Sequence, residues 1–151
     1  MPNDTLYDTD IVAWSEHQAA LLRRLARGER VNDQMDWDNL VEEIESVGNE
    51  QRHAAESLLV NILRHRLQIA AWPAAAVVPH WQHEIGVWRV QLERRLRRSP
   101  KLRAEIETTL PDLYGDAVRT AYRELDGIPR PPAPQACPWT LDQLLNEGVQ
   151  S

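Results

Sequence analysis

Residues 36–72 read DWDNLVEEIESVGNEQRHAAESLLVNILRHRLQIAAW, and within them Trp37, Leu40, Val41, Ile44, Val47, Ala54, Ala55, Leu58, Leu59, Ile62 and Ile69 recur at helical spacings. One face of an α-helix repeats with that period, so the stretch makes helix-on-helix packing the organising principle of the chain. Unbroken, the helix would run about 50 Å at 1.5 Å per residue, whereas a compact chain of 151 residues has a radius of gyration of about 15 Å. The length therefore predicts a kink or break. Gly48-Asn49 is the predicted place, because those two residue types most readily take the left-handed geometry of a helix end.

Upstream, Ile11, Trp14, Leu21, Leu22 and Leu25 share a helix face between Asp8 and Arg27; Asp8, Thr9 and Asp10 offer N-caps, and Gly28 offers a stop. Downstream, Trp72-Pro73 ends the long segment and Pro79 opens another at its first turn. Trp81, Ile85, Trp88, Leu92 and Leu96 give that segment a narrow seam as far as about Arg98. Ser99-Pro100 opens a short helix carrying Leu102, Ile106 and Leu110, and Pro111 is read as opening a further one, with Leu113, Tyr114, Ala117, Val118, Ala121 and Leu125, stopped by Gly127. Five prolines between Ile128 and Pro138 make that segment a strap laid across the bundle. Thr140-Leu-Asp-Gln143 is a capping box for a last short helix with Leu141, Leu144 and Leu145. The expectation is an all-α, single-domain bundle over residues 1–151, with four to five main helices at about 8–127, the strap at 128–138 and the short C-terminal helix at about 140–146.

The apolar content of 42% and charged content of 26% are those of an ordinary globular chain, which excludes collagen-like and disordered classes. A single cysteine, Cys137, cannot form an internal disulfide, and the first ten residues have neither the basic nor the apolar region of a signal peptide. The longest uncharged run, Leu67 to Gln82, is interrupted by two prolines and falls short of the about 18 apolar residues of a membrane span. These features predict a cytoplasmic protein with no membrane partner. The net charge of −6 argues against general affinity for nucleic acid.

Several segments together resemble a bacterial family catalogued as domain of unknown function 29. They are Leu6-Tyr-Asp-Thr-Asp10 with Trp14, Asn39-Leu-Val-Glu-Glu-Ile-Glu45 with Gly48, His65, Ser99-Pro-Lys-Leu102, and Cys137-Pro-Trp-Thr-Leu-Asp-Gln-Leu-Leu145, in the family's order over nearly the whole chain. The resemblance implies an all-helical fold and carries no activity, substrate or cofactor.

Catalysis and metal binding need carboxylates and imidazoles that converge. With Ile44 set inward, Glu43 and Glu50 lie on one flank of the long helix and Glu45 and Glu56 on the other, where Arg52 shares their side; that is the pattern of a salt-bridged, solvated helix. Glu50-Gln-Arg-His53 has the spacing used by di-iron bundles, but no second such motif accompanies it. A sharper group is His65 with His80, His83 and Glu84. His65 lies on the apolar stripe, and a hairpin turning near Ala75 would bring it opposite Glu84 to Trp88. His65, Glu84 and His80 are then candidate ligands for Zn or Fe, or a general base held by its carboxylate; the alternative is a core histidine satisfied by one partner. The arginines from Arg89 to Arg103 alternate with Glu93, argue further against a nucleic-acid site, and balance an acidic first part: 13 acidic against 5 basic residues up to position 60, then 8 against 12 up to 130. Trp14, Trp37, Trp81 and Trp88 fall on faces read as inward, and Cys137 reads as a packing residue. With no G-x-S-x-G or H-E-x-x-H, whether the chain is an enzyme stays open. The leading expectation is an interaction or regulatory module without a cofactor, acting on a protein partner or as a homodimer. The competing one is a metal-dependent enzyme or metal-binding bundle with its site between the second and third helices.

Overall fold

A computed structural model describes residues 2–123 and 127–146, with the backbone alone at 2–5. Among these residues every regular element is helical: α1 (Pro2–Thr9), α2 (Ile11–Ala26), a single 3-10 turn (Asn32–Gln34), α3 (Trp37–Ala71), α4 (Val78–Arg97), α5 (Pro100–Ala121) and α6 (Leu141–Asn146). The protein is all-α, with four long helices. By internal packing it divides into two compact units, Met1–Asn49 and Glu50–Ser151.

In the first unit the Asp10 carboxylate accepts the Ala13 N–H at 3.0 Å and starts α2, and Gly28 leaves the helix at a φ of +87° that favours glycine. Leu21, Val31 and Met35 form its apolar centre, with Leu25 and Leu40 packed against them. Buried Trp14 adds a polar layer: its Nε1–H donates to Asp36 Oδ2 at 2.8 Å, Asn39 Nδ2 donates to the same oxygen, and the Asp36 N–H donates to Gln18 Oε1 at 2.9 Å.

The helix α3 passes through Gly48 and Asn49 without the expected break. The size limit behind that expectation applies to one compact unit, whereas α3 gives residues 37–49 to the first unit and 50–71 to the second. For the same reason its buried face is not one continuous stripe. Ala55, Leu59, Ile62, Leu63 and Leu67 are fully buried, but Ile44 is 71% and Trp37 46% exposed, so the inward placing of Ile44 and Trp37 is corrected. In residues 37–49 the partly buried positions include Asn39, Leu40 and Glu43, and Glu43 accepts the Tyr7 hydroxyl at 2.6 Å.

In the second unit Pro79 stands in the first turn of α4, where its missing N–H costs nothing, and Trp81, Ile85, Leu92 and Leu96 are buried as the seam predicts. Ser99 caps α5 by accepting the Leu102 N–H at 3.1 Å. The helix then runs through Pro111, where a restart was expected. Pro111 gives up the backbone bond to the Glu107 carbonyl and crowds that carbonyl with its ring, and buried Leu110 and Leu113 on either side hold the helix to the core against that cost. Leu125 lies outside the described residues. The strap is irregular and tied down: Trp72 Nε1–H donates to the Pro129 carbonyl at 3.1 Å, and the Tyr114 hydroxyl donates to the Pro134 carbonyl at 2.7 Å. The capping box of α6 is complete, with Gln143 N–H on Thr140 Oγ1 at 3.1 Å and Thr140 N–H on Gln143 Oε1 at 2.9 Å.

Candidate functional site

Because α3 and α4 are joined by a short turn after Trp72, the register places His65 against the first turns of α4. His65 is 4% exposed, and its ring lies between Trp81 and Trp88 at centroid distances of 5.8 and 5.0 Å. Nδ1 stands 2.6 Å from Gln68 Oε1, and Nε2 contacts Glu84 Oε2 directly. The Gln68 amide has only one orientation, because its Nε2–H donates to the Ala121 carbonyl at the end of α5 at 2.7 Å. Its oxygen therefore faces His65, and Nδ1 must carry a hydrogen. Nε2 then meets a carboxylate oxygen, so one proton lies between His65 and Glu84. The hydrogen bond from His65 holds the Glu84 carboxyl below the usual carboxylate range, against the opposing effect of burial.

Glu84 turns its other oxygen, Oε1, to His80 Nε2 at 3.2 Å. The three residues singled out by spacing thus come together, with Glu84 bridging buried His65 and exposed His80. They meet through one hydrogen bond, between His65 and Glu84, and one close contact, between Glu84 and His80. Among the described residues no group of three or more His, Cys, Asp or Glu side chains is arranged to hold a metal ion. His83 is exposed, as are Glu50 and His53, so the Glu-x-x-His spacing assembles nothing. Arg52 pairs with Glu105 of α5 at 2.7 Å and draws the Glu105 carboxyl below its ordinary range.

Sequence reasoning did not reach Gln68. Its signal was present: a glutamine three residues after a histidine on a buried face is on the same side of the helix. Nor did it reach the polar layer of the first unit, although Tyr7, Trp14, Asn39 and Glu43, which build that layer, are among the residues that carry the family resemblance.

The fold and site define an all-helical protein with a histidine–carboxylate pair held between α3 and α4. The model of the family described as domain of unknown function DUF29 matches residues 6–149, and the chain belongs to that family. A comparison with curated proteins finds no match. Among solved structures, the chain is similar to an alpha-helical protein of unknown function from Rhodospirillum rubrum, at 27% identity and a TM-score of 0.67, over 93% of this chain and 89% of the other.

Proposed function

We propose that the protein is a non-catalytic, cytoplasmic helical interaction module and that its first partner is a second copy of itself. The observation that carries this reading is a pair of exposed, complementary helix stripes. On the first turns of α3, Trp37, Val41, Ile44 and Val47 are all exposed and flanked by Asp38, Glu42 and Glu45. On α4, His83, Val87, Val90, Arg94 and Arg97 recur at spacings of four, three, four and three on one exposed face. Two acidic stripes would repel each other, so the acidic stripe of one copy fits the basic stripe of the other. Such a helix pair sits at the low end of specific interfaces, about 1,200 Å² in total, and the association is expected to be reversible and salt-sensitive.

Sedimentation velocity at low and high salt tests this. A dimer that dissociates with salt is expected, with Glu42→Arg/Glu45→Arg and Arg94→Glu/Arg97→Glu each monomeric alone and associating when mixed. A monomer at every concentration and salt, or variants that sediment like the parent, would overturn the reading.

A second reading, a Zn- or Fe-binding bundle at His65, Glu84 and His80, is favoured by one observation: Gln68 fixes the His65 tautomer that leaves Nε2 able to ligate. The metal would replace the shared proton. Metal content of the untagged protein, compared with a folded Glu84→Gln variant, tests it: near-stoichiometric metal in the parent alone supports the site, and metal-free parent protein that stays so after incubation with zinc or ferrous iron opposes it.

A further inference from the structure

Every residue from Ile128 to Pro134 is a proline or stands directly before one. Proline fixes its own φ at about −65°, and its ring pushes the preceding residue out of the helical region into extended backbone. The strap is thereby held along this length in the polyproline II form, which has about three residues per turn, so positions three apart share an edge.

One edge faces the bundle. Ala133 is partly buried against the core, and the Arg130 guanidinium stands 3.6 Å from the centroid of the buried Tyr122 ring. The other two edges carry Ile128, Pro131 and Pro134 on one and Pro129 and Pro132 on the other, and all of these are exposed, Ile128 by 48%. The Trp72 indole on the Pro129 carbonyl and the Tyr114 hydroxyl on the Pro134 carbonyl hold the ridge at both ends, so a partner meets it already ordered and little conformational entropy is lost on binding.

Exposed prolines by themselves would only cover the core. The pairing of the two free edges is what selects a partner. With Arg130 and Ala133 turned inward, the outer face consists of the dipeptides Ile128-Pro129 and Pro131-Pro132, which repeat one turn apart, about 9 Å. Aromatic-lined grooves that read polyproline segments take ligands of this kind. Strand addition is disfavoured, because Pro129, Pro131, Pro132 and Pro134 have no N–H to give a sheet edge. Arg130 adds an exposed cation beside the two dipeptides, and among the described residues no carboxylate pairs with it, so a carboxylate on the rim of the groove would complement the ridge.

We propose that the strap is a docking ridge for a partner domain with an aromatic-lined, acid-rimmed polyproline groove, with Ile128-Pro129 filling one pocket and Pro131-Pro132 the next. None of these residues belongs to the α3 or α4 stripes, so the inference does not depend on self-association.

Titration of the isotope-labelled full chain with a panel of purified SH3 domains, which carry grooves of this kind, tests it by amide chemical shifts. Saturable shifts are expected at Ile128, Arg130, Ala133 and Gln135, reversed by a synthetic P-x-x-P peptide that occupies the groove. Pro132→Ala and Ile128→Ser are each expected to weaken binding about tenfold, the scale of one lost apolar pocket contact. Ile128→Ser keeps Pro129 and its backbone restraint and lies at an exposed position, so it should leave the melting temperature unchanged and separate docking from a merely structural role of the strap. Binding by no member of the panel, shifts confined to residues outside 127–136, binding that the peptide does not reverse, or an unchanged affinity in Ile128→Ser would each overturn the assignment, and the last applies even if Pro132→Ala loosens the strap. Shifts at 127–136 on concentrating the protein by itself would assign the ridge to a second copy of the chain and overturn it as well.

Discussion

His65 has an oxygen against each ring nitrogen and the Trp81 and Trp88 indoles packed near its ring, so its replacement removes packing and polar partners together. His65→Ala leaves Gln68 and Glu84 facing a cavity, and is expected to cost about 3–5 kcal/mol in urea unfolding. Glu84→Gln keeps a hydrogen-bonding group in place and is expected to cost less, about 1–2 kcal/mol. The two variants differ in pH dependence as well. The folded state holds Glu84 below the carboxylate range of the unfolded chain, so its contribution is complete above that range and disappears as pH falls through the lowered value. The parent should lose stability on the acid side more steeply than Glu84→Gln; parallel profiles would show that the pair has no linkage to folding. Of this site, His65 and Glu84 were legible because helical period and hairpin register are both properties of sequence spacing. The tautomer was not, since it depends on Gln68 reaching the last carbonyl of α5, 53 positions away.

Among the elements, those set by local chemistry were legible and those set by tertiary packing were not. Ser99-Pro100 and Thr140-x-x-Gln143 cap as their side chains dictate. Thr140→Ala should destabilise by about 1 kcal/mol, read as lower hydrogen-exchange protection in residues 141–146 with little change in α4. Pro111 was misread because a proline starts a helix and is tolerated inside one by the same property, the missing N–H; only the burial of Leu110 and Leu113 decides between them. Gly86, inside α4, is a converse test of local chemistry. A Cβ there would meet nothing within 4 Å, so Gly86→Ala should stabilise the protein by about 0.5–1 kcal/mol in urea unfolding. A loss of stability would mean that α4 needs the glycine for something other than its helix.

Over the whole molecule, charge and titration divide as the packing does. Residues 1–49 carry eleven acidic and four basic side chains, net −7, and residues 50–151 carry twelve and thirteen, net +1. Each unit also has its own pH-sensitive contact. In the first, the hydrogen bond to the Glu43 carboxylate pushes the Tyr7 phenol up to about 12 from its ordinary value of 10.0. A raised value means that the Tyr7 contribution is complete below pH 10.0 and is lost as pH rises towards 12. Trp14 reports on it directly, with its ring edge-on to Tyr7 at a centroid distance of 4.9 Å, just as Trp81 and Trp88 report on His65 in the second unit. With every tryptophan replaced by 5-fluorotryptophan, fluorine NMR separates these reporters. Raising the pH should move the Trp14 resonance first, ahead of Trp81 and Trp88, and Tyr7→Phe should remove that early step. Lowering the pH should move Trp81 and Trp88 in the parent but not in Glu84→Gln. If all resonances instead shift together at both extremes, the units unfold as one, and the contacts of Tyr7 and Glu84 are not the local weak points that their hydrogen bonds make them here.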